Sequence, residues 1–500
     1  MRRGLRGAVP LGCAVVLSVA CGGGGFAPPE EEPSASALDQ QPALRRVPAR
    51  ACDEATPRRD GAALVAELGC QGARLELRPT VRVDGVWRGA GIDGPCRDEG
   101  TSVSCPAGSL GVVRALEEGN DLRVVFEATA GVLVTGIGLV GSGRLPGAAG
   151  WLSQGLQSWS QSGVLALRGA PRGEALEAAL AAAGEDEVYR RGQHASYWYT
   201  HVGGGVADAF AGAVTAERLR TWTEVSRVAG DDVFLRIASG GQDTVRLSPG
   251  ETLSSELYRV RVTSQLHRTL GEYGLALASR RRSVRAPAPA GWNSWYDLWN
   301  DVDAEDVLAP AGRSNTDQAR DWFARRAPGT PVHIVVDDGW QRAWGDWDTN
   351  DKFPGGIAAL ARELRARGVV PGLWLAPFAV HPRSELARRH PDWLVAGAGW
   401  NQPGQGDLKV LDVTHPEAAA HLTAVLRRLK ADGITLFKVD FLFAQLLPGR
   451  RREDITPLQA YHRGMALLRD SVGEDAFLLA VGAPPLPTFP YVDGWRVGND

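Results

Sequence analysis

The sequence lacks a surplus of charge of either sign, because its 55 lysine and arginine residues are nearly balanced by 58 aspartate and glutamate residues. A chain without a basic excess offers no broad surface for a polyanion, so we expect no nucleic-acid partner. The glycine run at residues 22–25 follows no predicted strand and opens no predicted helix, which argues against a phosphate-binding loop. At 500 residues the chain exceeds one hydrophobic core and predicts about two or three domains.

Long apolar runs are also missing, apart from residues 8–20, which are too few to span a bilayer. This run follows three arginines and ends in small residues before Cys21, a pattern that resembles the lipobox of bacterial lipoproteins. We therefore expect residues 1–21 to be a lipoprotein signal peptide and Cys21 to carry a lipid anchor in the membrane. The alternative is an ordinary secretory signal. Either one exports the protein, and we expect a cell-envelope lipoprotein of the outer membrane or cell surface.

Cysteine is scarce, and beyond Cys21 the sequence contains Cys52, Cys70, Cys96 and Cys105. An even number in an exported protein indicates disulfides, although the sequence does not determine their pairing. The local arrangement, Cys52 with Cys70 and Cys96 with Cys105, is our expectation. The spacing matches no zinc motif and no histidine cluster accompanies it, so we expect neither a metal nor another cofactor.

Composition and periodicity divide the chain after the signal peptide. Residues 22–50 are rich in Gly, Pro, Glu, Ser and Ala and predict a flexible tether. Residues 51–262 alternate apolar and polar positions between glycine-rich turns, which predicts an antiparallel β-sandwich with a helix near residues 173–183. Residues 263–285 predict a helical linker, and residues 286–500 predict a domain of alternating strands and helices.

Short apolar runs in the last segment predict a buried parallel sheet, and both a barrel and a doubly wound sheet fit this pattern. The predicted strands include residues 332–337, 369–376, 434–440 and 477–482. About six strands can be counted after residue 285, whereas a closed (β/α)8 barrel needs eight. We therefore expect a (β/α)8-type barrel that is truncated in this sequence.

The distribution of polar and aromatic residues favours the barrel over the doubly wound sheet. Eleven of the 16 tryptophans lie after residue 290, and a flat indole is a suitable platform for a sugar ring. Many functional side chains follow the ends of predicted strands, and in a (β/α) barrel those ends form the active-site rim. The set comprises Trp292, Asn293, Trp295, Asp337, Asp338, Trp340, Trp374, Lys438, Asp440, Arg496 and Asp500.

Two motifs pair a cation with a carboxylate at a strand end. Lys438 and Asp440 share one face of a strand, and the lysine favours the ionised form that a carboxylate nucleophile requires. Arg496 and Asp500 are separated by an even number of positions and would also share one face of a strand, with Gly498 between them leaving room for a substrate. A pair of carboxylates is what glycoside cleavage needs, although each motif alone is also compatible with a structural ion pair.

Asp337 and Asp338 place two further carboxylates at a strand end. Ionised carboxylates bind vicinal sugar hydroxyls through charge-assisted hydrogen bonds. The competing interpretation is a magnesium site of a phosphohydrolase, which no phosphate-binding loop supports here.

Taken together, the motifs of residues 286–500 resemble the melibiase family of glycoside hydrolase clan D. Gln157-Ser158-Trp159-Ser160 also resembles a motif in the N-terminal β-domain of that family. The matching segments, in order, are Asp337-Asp338-Gly339-Trp340, Gly345-Asp346-Trp347, Lys352–Gly356, Pro371–Phe378, His390–Trp393, Leu411–Pro416, Lys438-Val439-Asp440, Gly482-Ala483-Pro484 and Arg496–Asp500.

The resemblance implies a retaining α-galactosidase with Asp440 as nucleophile and Asp500 as acid/base. Asp337 and Asp338 would bind the 4- and 6-hydroxyls of galactose. Lys438, Arg496 and Trp374 would line the same subsite, and the partner would be an oligosaccharide or another glycoside.

One departure concerns Val481, where relatives often have a cysteine near the sugar 2-position. The preference at that position is therefore open, and an α-N-acetylgalactosaminidase or a galactosyltransferase of the same family are alternatives. A non-catalytic, surface-tethered sugar-binding lipoprotein is the alternative from another class.

Overall fold

The computed structural model describes residues 53–160, 162–167, 195–280, 289–309 and 315–498. The predicted signal peptide, the tether, the helix near residues 173–183 and Asp500 all lie outside these residues. Within the described ranges, none of the helices has both the length and the apolar character needed to cross a membrane.

The first part of the chain consists of β-strands. Their bounds are β1 (Glu54–Ala55), β2 (Arg58–Asp60), β3 (Ala63–Leu68), β4 (Ala73–Val83), β5 (Val86–Gly89), β6 (Arg97–Asp98), β7 (Ser102–Pro106), β8 (Gly111–Glu118), β9 (Asp121–Ala128), β10 (Val132–Arg144), β11 (Gly150–Ser153), β12 (Gly163–Ala166), β13 (Ala195–Tyr197), β14 (Tyr199–Gly203), β15 (Asp208–Ala213), β16 (Thr221–Ala229), β17 (Asp232–Leu247), β18 (Thr252–Ser254) and β19 (Tyr258–Thr263).

These strands form two antiparallel sheets that pack face to face. One sheet has the order β12-β11-β14-β15-β19-β9-β8-β7-β6, with β1 added to β19 and β18 to β9. The other has the order β13-β16-β17-β10-β4-β3-β2, with β5 added to β4. Strand β4 illustrates why the sheets pack together, because its side chains alternate between the two faces. Leu75 and Leu77 are fully buried in the core between the sheets, while Arg74 is exposed.

The disulfide expected between Cys96 and Cys105 is present, and it joins β7 to the preceding loop. Cys70 is also disulfide-bonded. Cys52, the partner expected for it from the sequence, lies outside the described residues.

The second part alternates strands with helices. Its strands are β20 (Ala290–Asn293), β21 (Val332–Val336), β22 (Gln341–Ala343), β23 (Asp346–Thr349), β24 (Val370–Leu375), β25 (Ala379–Val380), β26 (Leu394–Gln402), β27 (Gly406–Leu411), β28 (Leu436–Val439), β29 (Phe477–Ala480) and β30 (Gly494–Trp495). The α-helices are α1 (Leu266–Ala278), α2 (Trp295–Leu298), α3 (Ala304–Leu308), α4 (Asn315–Arg326), α5 (Gly356–Ala366), α6 (Glu385–Arg389), α7 (Pro416–Ala431), α8 (Pro457–Val472) and α9 (Pro485–Thr488). Short 3-10 segments occur at Gly69–Gln71, Trp299–Asp301, Pro391–Trp393 and Leu442–Leu446.

Local sequence signals explain the bounds of the long helices. Helix α7 begins at Pro416, whose fixed φ suits the first helical position, and it buries Leu422 and Leu426 against the sheet layer. Helix α8 begins with a capping box in which Thr456 and Gln459 satisfy each other's backbone N–H groups.

The central sheet is parallel and has the order β20-β21-β24-β28-β29-β30. The order of the strands across the sheet is the same as their order along the chain. A doubly wound sheet would reverse direction at a switch point, so this order is that of a barrel wall. The described strands thus form a curled half-barrel, and their carboxyl ends meet at one rim.

The β-sandwich contacts the half-barrel through buried polar groups. Arg220, between β15 and β16, pairs with Asp243 at 3.0 Å and donates to the carbonyl oxygen of Leu446 at 2.6 Å. The side chains of Arg220 and Asp243 are almost completely buried. His462 of α8 also contacts the carbonyl oxygen of Ala216. The two parts of the chain are therefore joined by buried hydrogen bonds, and the one from Arg220 is held in place by its ion pair with Asp243 inside the β-sandwich.

We predict that Arg220→Met destabilises the protein by about 3–5 kcal/mol, because it leaves the Asp243 carboxylate buried without its cation. The measurement is the free energy of unfolding in denaturant. A matched control is Arg74→Met, which breaks an exposed ion pair with Glu67 and should cost below about 1 kcal/mol. Equal losses for the two variants would contradict the prediction.

Candidate active site

A cavity of about 650 Å³ opens at the carboxyl-end rim of the parallel sheet. Its walls combine carboxylates, a lysine and aromatic rings, and such a mixture of polar and flat apolar surface suits a sugar. The lining residues are Trp159, Trp295, Trp299, Asn300, Asp337, Asp338, Trp344, Trp374, Gln402, Pro403, Gly404, Gln405, Lys438, Asp440 and Phe441.

The base of the cavity contains a buried ion pair between the ends of β21 and β28, which lie on either side of β24. Lys438 of β28 donates to Asp337 Oδ2 at 2.6 Å, and Asn293 of β20 donates to the same oxygen at 2.9 Å. Trp374 of β24 is the register partner of Lys438, so these side chains lie at one level of the sheet. Burial lowers the pKa of Lys438, but the charges of Asp337 and Asp440 outweigh it and raise that pKa overall.

Asp338 turns toward the opposite wall of the cavity. Its Oδ1 accepts hydrogen bonds from the Gln341 amide and, at 3.1 Å, from the Trp344 indole. Burial raises the pKa of Asp338, and these two hydrogen bonds counteract only part of that rise. Asp337 and Asp338 therefore present buried acceptor oxygens in one cavity, each with a fixed orientation.

Asp440 directly follows β28 and is 6% exposed. Its Oδ2 accepts a hydrogen bond from the Trp374 indole at 3.0 Å, and its Oδ1 accepts one from the Phe441 backbone N–H at 2.7 Å. Phe441 has φ +53° and ψ +34°, a left-handed conformation that is uncommon for a bulky residue. Such strain costs about 1–3 kcal/mol and typically occurs at functional sites.

The pKa of Asp440 is raised to about 6, because burial of its charge is the largest effect. The positive charges of Lys438 and Arg496 and the hydrogen bond from Trp374 lower the pKa, while the charge of Asp337 raises it. The carboxyl is thus ionised near neutral pH. The sequence suggested Lys438 as its partner, but the direct ion pair of Lys438 is with Asp337, and Lys438 acts on Asp440 through its charge alone.

Arg496 follows β30 at the edge of the site. Its guanidinium lies 5.7 Å from the ring of Trp159 and contacts the Tyr296 hydroxyl. Together with Lys438 it also lines a small apolar cavity inside the sheet. Trp159 comes from the β-sandwich and packs edge-on against Phe441 at 4.7 Å. The N-terminal domain therefore supplies one wall of the cavity.

The residues expected from the sequence fall into three groups. Asp337, Asp338, Trp374, Lys438 and Asp440 all line the main cavity. Arg496 lies beside it, and Asp500 lies outside the described residues.

Trp295 also lines the cavity and belongs to the rim residues expected from the sequence, whereas several other lining residues were not expected. The resemblance of the Trp159 segment to a family motif was the one signal for the domain contact. Phe441 could have been found through its place next to Asp440. Trp299, Asn300 and the loop Gln402–Gln405 gave no signal, because their position depends on how loops pack at the rim.

The magnesium site that the sequence offered as an alternative at Asp337 and Asp338 can be compared with the surroundings of these carboxylates. Across the described ranges, no group of three or more histidine, cysteine, aspartate or glutamate side chains is arranged to bind a metal ion. The carboxylate pair Asp337–Asp338 is already occupied by Lys438, Asn293, Gln341 and Trp344.

A half-barrel whose rim carries buried carboxylates among tryptophans is an arrangement typical of glycoside hydrolases. Comparison with known proteins agrees. Residues 313–454 match the melibiase family model. The chain is 35% identical over 161 residues to α-galactosidase AgaA of Geobacillus stearothermophilus, and this match covers 30% of the chain and 20% of that enzyme. An Escherichia coli α-galactosidase is 35% identical over 105 residues, covering 19% and 15% of the two chains.

Solved structures extend the similarity to the β-sandwich. TtGalA, an α-galactosidase from Thermus thermophilus, superposes with a TM-score of 0.54 and 26% identity, covering 80% of this chain and 75% of that chain. The structure of AgaA gives a TM-score of 0.52 at 16% identity, which shows a shared fold.

The half-barrel of this chain is thus similar to the melibiase-type α-galactosidases. The chain covers less than a third of the length of the curated relatives named above.

We predict that the stability difference between Asp440→Asn and the wild type depends on pH. The Asp440 pKa is raised from 3.8 in the unfolded chain to about 6 in the folded protein, so the folded wild type is penalised only where the carboxyl is ionised. Relative to the wild type, the variant should therefore gain on the order of 2–3 kcal/mol as the pH rises from about 4 to about 7.5. Denaturant unfolding at both pH values measures this gain. The same difference at both would refute the raised pKa.

Proposed function

We propose that this protein is a retaining glycoside hydrolase that cleaves terminal α-galactosides by double displacement. The observation that carries the proposal is the fixed Asp440 carboxylate beside the Asp337–Lys438 pair, at the base of a cavity large enough for a sugar. Solved relatives support the substrate class, since TtGalA was crystallised with p-nitrophenyl α-D-galactopyranoside and with stachyose, and AgaA with raffinose.

The cavity offers separate groups for binding and for chemistry. Asp337 and Asp338 would accept hydrogen bonds from sugar hydroxyls, and charge-assisted bonds of this kind are strong and directional. Trp344 and Trp374 would contact the apolar face of the ring, since both line the cavity with their rings 5.3 Å apart. Lys438 donates to Asp337 and so holds this acceptor in a fixed orientation for the substrate.

In the first step, an Asp440 oxygen attacks the anomeric carbon and forms a covalent β-linked glycosyl-enzyme while the bond to the leaving oxygen breaks. Asp500 donates its proton to that oxygen. In the second step, Asp500 takes a proton from water, the water oxygen attacks the anomeric carbon, and Asp440 leaves as a carboxylate. The sugar is released with its original configuration.

The environment of Asp440 suits this role. Two donors, the Trp374 indole and the Phe441 N–H, orient the carboxylate without a direct ion pair. An ion pair would stabilise the charge that the attack must give up, which would oppose the reaction. The raised pKa of Asp440 also makes its carboxylate a better nucleophile than an exposed one.

Export and a lipid anchor at Cys21 enter this proposal from the sequence alone. They would place the enzyme at the cell envelope, where it would meet glycosides outside the cytoplasm.

We predict that Asp440→Gly lowers turnover of p-nitrophenyl α-galactoside by more than about 1,000-fold, because the covalent step loses its nucleophile. Added azide should restore part of the activity by attacking the anomeric carbon directly, and the product should be β-galactosyl azide. The matched variant Asp500→Ala should also respond to azide, but it should yield α-galactosyl azide, since azide then attacks the glycosyl-enzyme. Nuclear magnetic resonance of the products distinguishes the two configurations.

Near-normal turnover by Asp440→Gly would overturn the assignment of the nucleophile. A wild-type chain that binds galactosides without hydrolysing them would favour a non-catalytic sugar-binding protein instead.

We predict that kcat/KM rises with pH along an acid limb near pH 6, because the nucleophile must lose its proton and its pKa is about 6. Arg496→Gln should shift this limb to higher pH, since it removes a positive charge that lowers the Asp440 pKa. The control Arg362→Gln changes an exposed arginine of α5, which does not line the cavity, and should leave the limb in place. A limb that Arg496→Gln leaves unmoved would contradict the prediction.

A further inference from the structure

The lining residues of the cavity differ sharply in depth. The charged groups at its base are between 2% and 6% exposed: Asp337, Asp338, Lys438 and Asp440. Trp299, by contrast, is 64% exposed, and Asn300 and Pro403 beside it in the lining are exposed as well. The cavity therefore has a polar, enclosed base and an open mouth with an exposed indole.

Trp299 is also a backbone outlier. Its φ of +52° and ψ of −137° lie in a region that L-residues rarely adopt, and it is the residue at which α2 ends. A glycine would adopt this backbone conformation without strain, so the tryptophan is held here at a cost in conformational energy. Residues with a strained backbone of this kind cluster at functional sites.

The surrounding chain fixes this conformation. The Trp299 ring packs on the Trp295 ring with centroids 5.0 Å apart. The backbone N–H of Trp299 donates to the Trp295 carbonyl oxygen. The next residue, Asn300, has a carbonyl oxygen that accepts from the Lys352 ammonium. A side chain at Gly339 would meet that same oxygen at 2.4 Å, so the segment lies directly on the backbone that follows Asp338.

The geometry points to Trp299 as the platform for the leaving-group sugar, and this inference rests on the proposed function. If Asp440 attacks the anomeric carbon at the base, the departing part of the substrate must extend toward the mouth. An exposed indole there offers a flat apolar face to a pyranose ring. We therefore propose that Trp299 makes this site selective for galactosides whose leaving group is itself a sugar.

The test compares substrates that differ only in the leaving group. Raffinose carries a sugar leaving group, whereas α-galactosyl fluoride carries none. Trp299→Ala should raise KM for raffinose about tenfold, as expected for loss of one ring contact, while kcat for raffinose and both constants for the fluoride change little. Trp299→Phe should restore most of the raffinose KM because it keeps a flat ring.

A matched control is Trp322→Ala, which removes a partly exposed indole from α4, outside the cavity. This variant should leave the ratio of KM for raffinose to KM for the fluoride unchanged. Equal effects of Trp299→Ala on raffinose and on the fluoride, or no effect on either, would overturn the inference while leaving the proposed function intact.

If the wild type hydrolyses neither substrate, the proposed function fails and binding becomes the test. Calorimetry should then show that Trp299→Ala weakens raffinose binding and not galactose binding. Equal weakening of both, or of neither, would overturn the platform role.

Discussion

The buried ammonium of Lys438 is the interaction on which the active-site arrangement depends. It donates to Asp337 at 2.6 Å and acts through its charge on Asp440, and all three groups are almost fully removed from water. Carboxylates crowded into a low-dielectric site would otherwise repel one another and take up protons. The lysine donates directly to Asp337, while its charge opposes the rise that burial causes in the pKa of Asp440, which is about 6 overall. One cation thus acts on two carboxylates, through a hydrogen bond on Asp337 and through its charge on Asp440.

The second constraint is the contact between the β-sandwich and the half-barrel. Trp159 packs on Phe441, and the Ser158 N–H donates to the Ala483 carbonyl oxygen at 3.2 Å. Because Phe441 also donates to Asp440, the position of the β-sandwich is coupled to the orientation of the Asp440 carboxyl. Arg220, paired with Asp243, fixes that position from another side through its hydrogen bond to Leu446. The N-terminal domain therefore forms part of the cavity wall.

Much of the fold followed from local patterns. Alternating apolar positions, as in Leu75 and Leu77, predicted sandwich strands because one face of each strand is buried. Continuous apolar runs predicted the parallel strands, and the residues at their ends predicted Asp337, Lys438 and Asp440 as neighbours. The choice between barrel and doubly wound sheet needed the strand order, which is a non-local property. The roles of the site residues came from the family resemblance, and periodicity did not supply them.

The sequence by itself indicated the main sandwich strands, the parallel strands and the charged groups at their ends, since alternating positions mark a half-buried strand and continuous apolar runs mark a fully buried one. Tertiary structure alone decided how those charges pair. Lys438 lies two residues from Asp440 on the same strand, yet it bonds to Asp337 of another strand. It also decided that Trp159 and the strained Trp299 reach the cavity. Pairing distance, burial and loop strain arise from contacts between segments remote in sequence, and no local pattern records them.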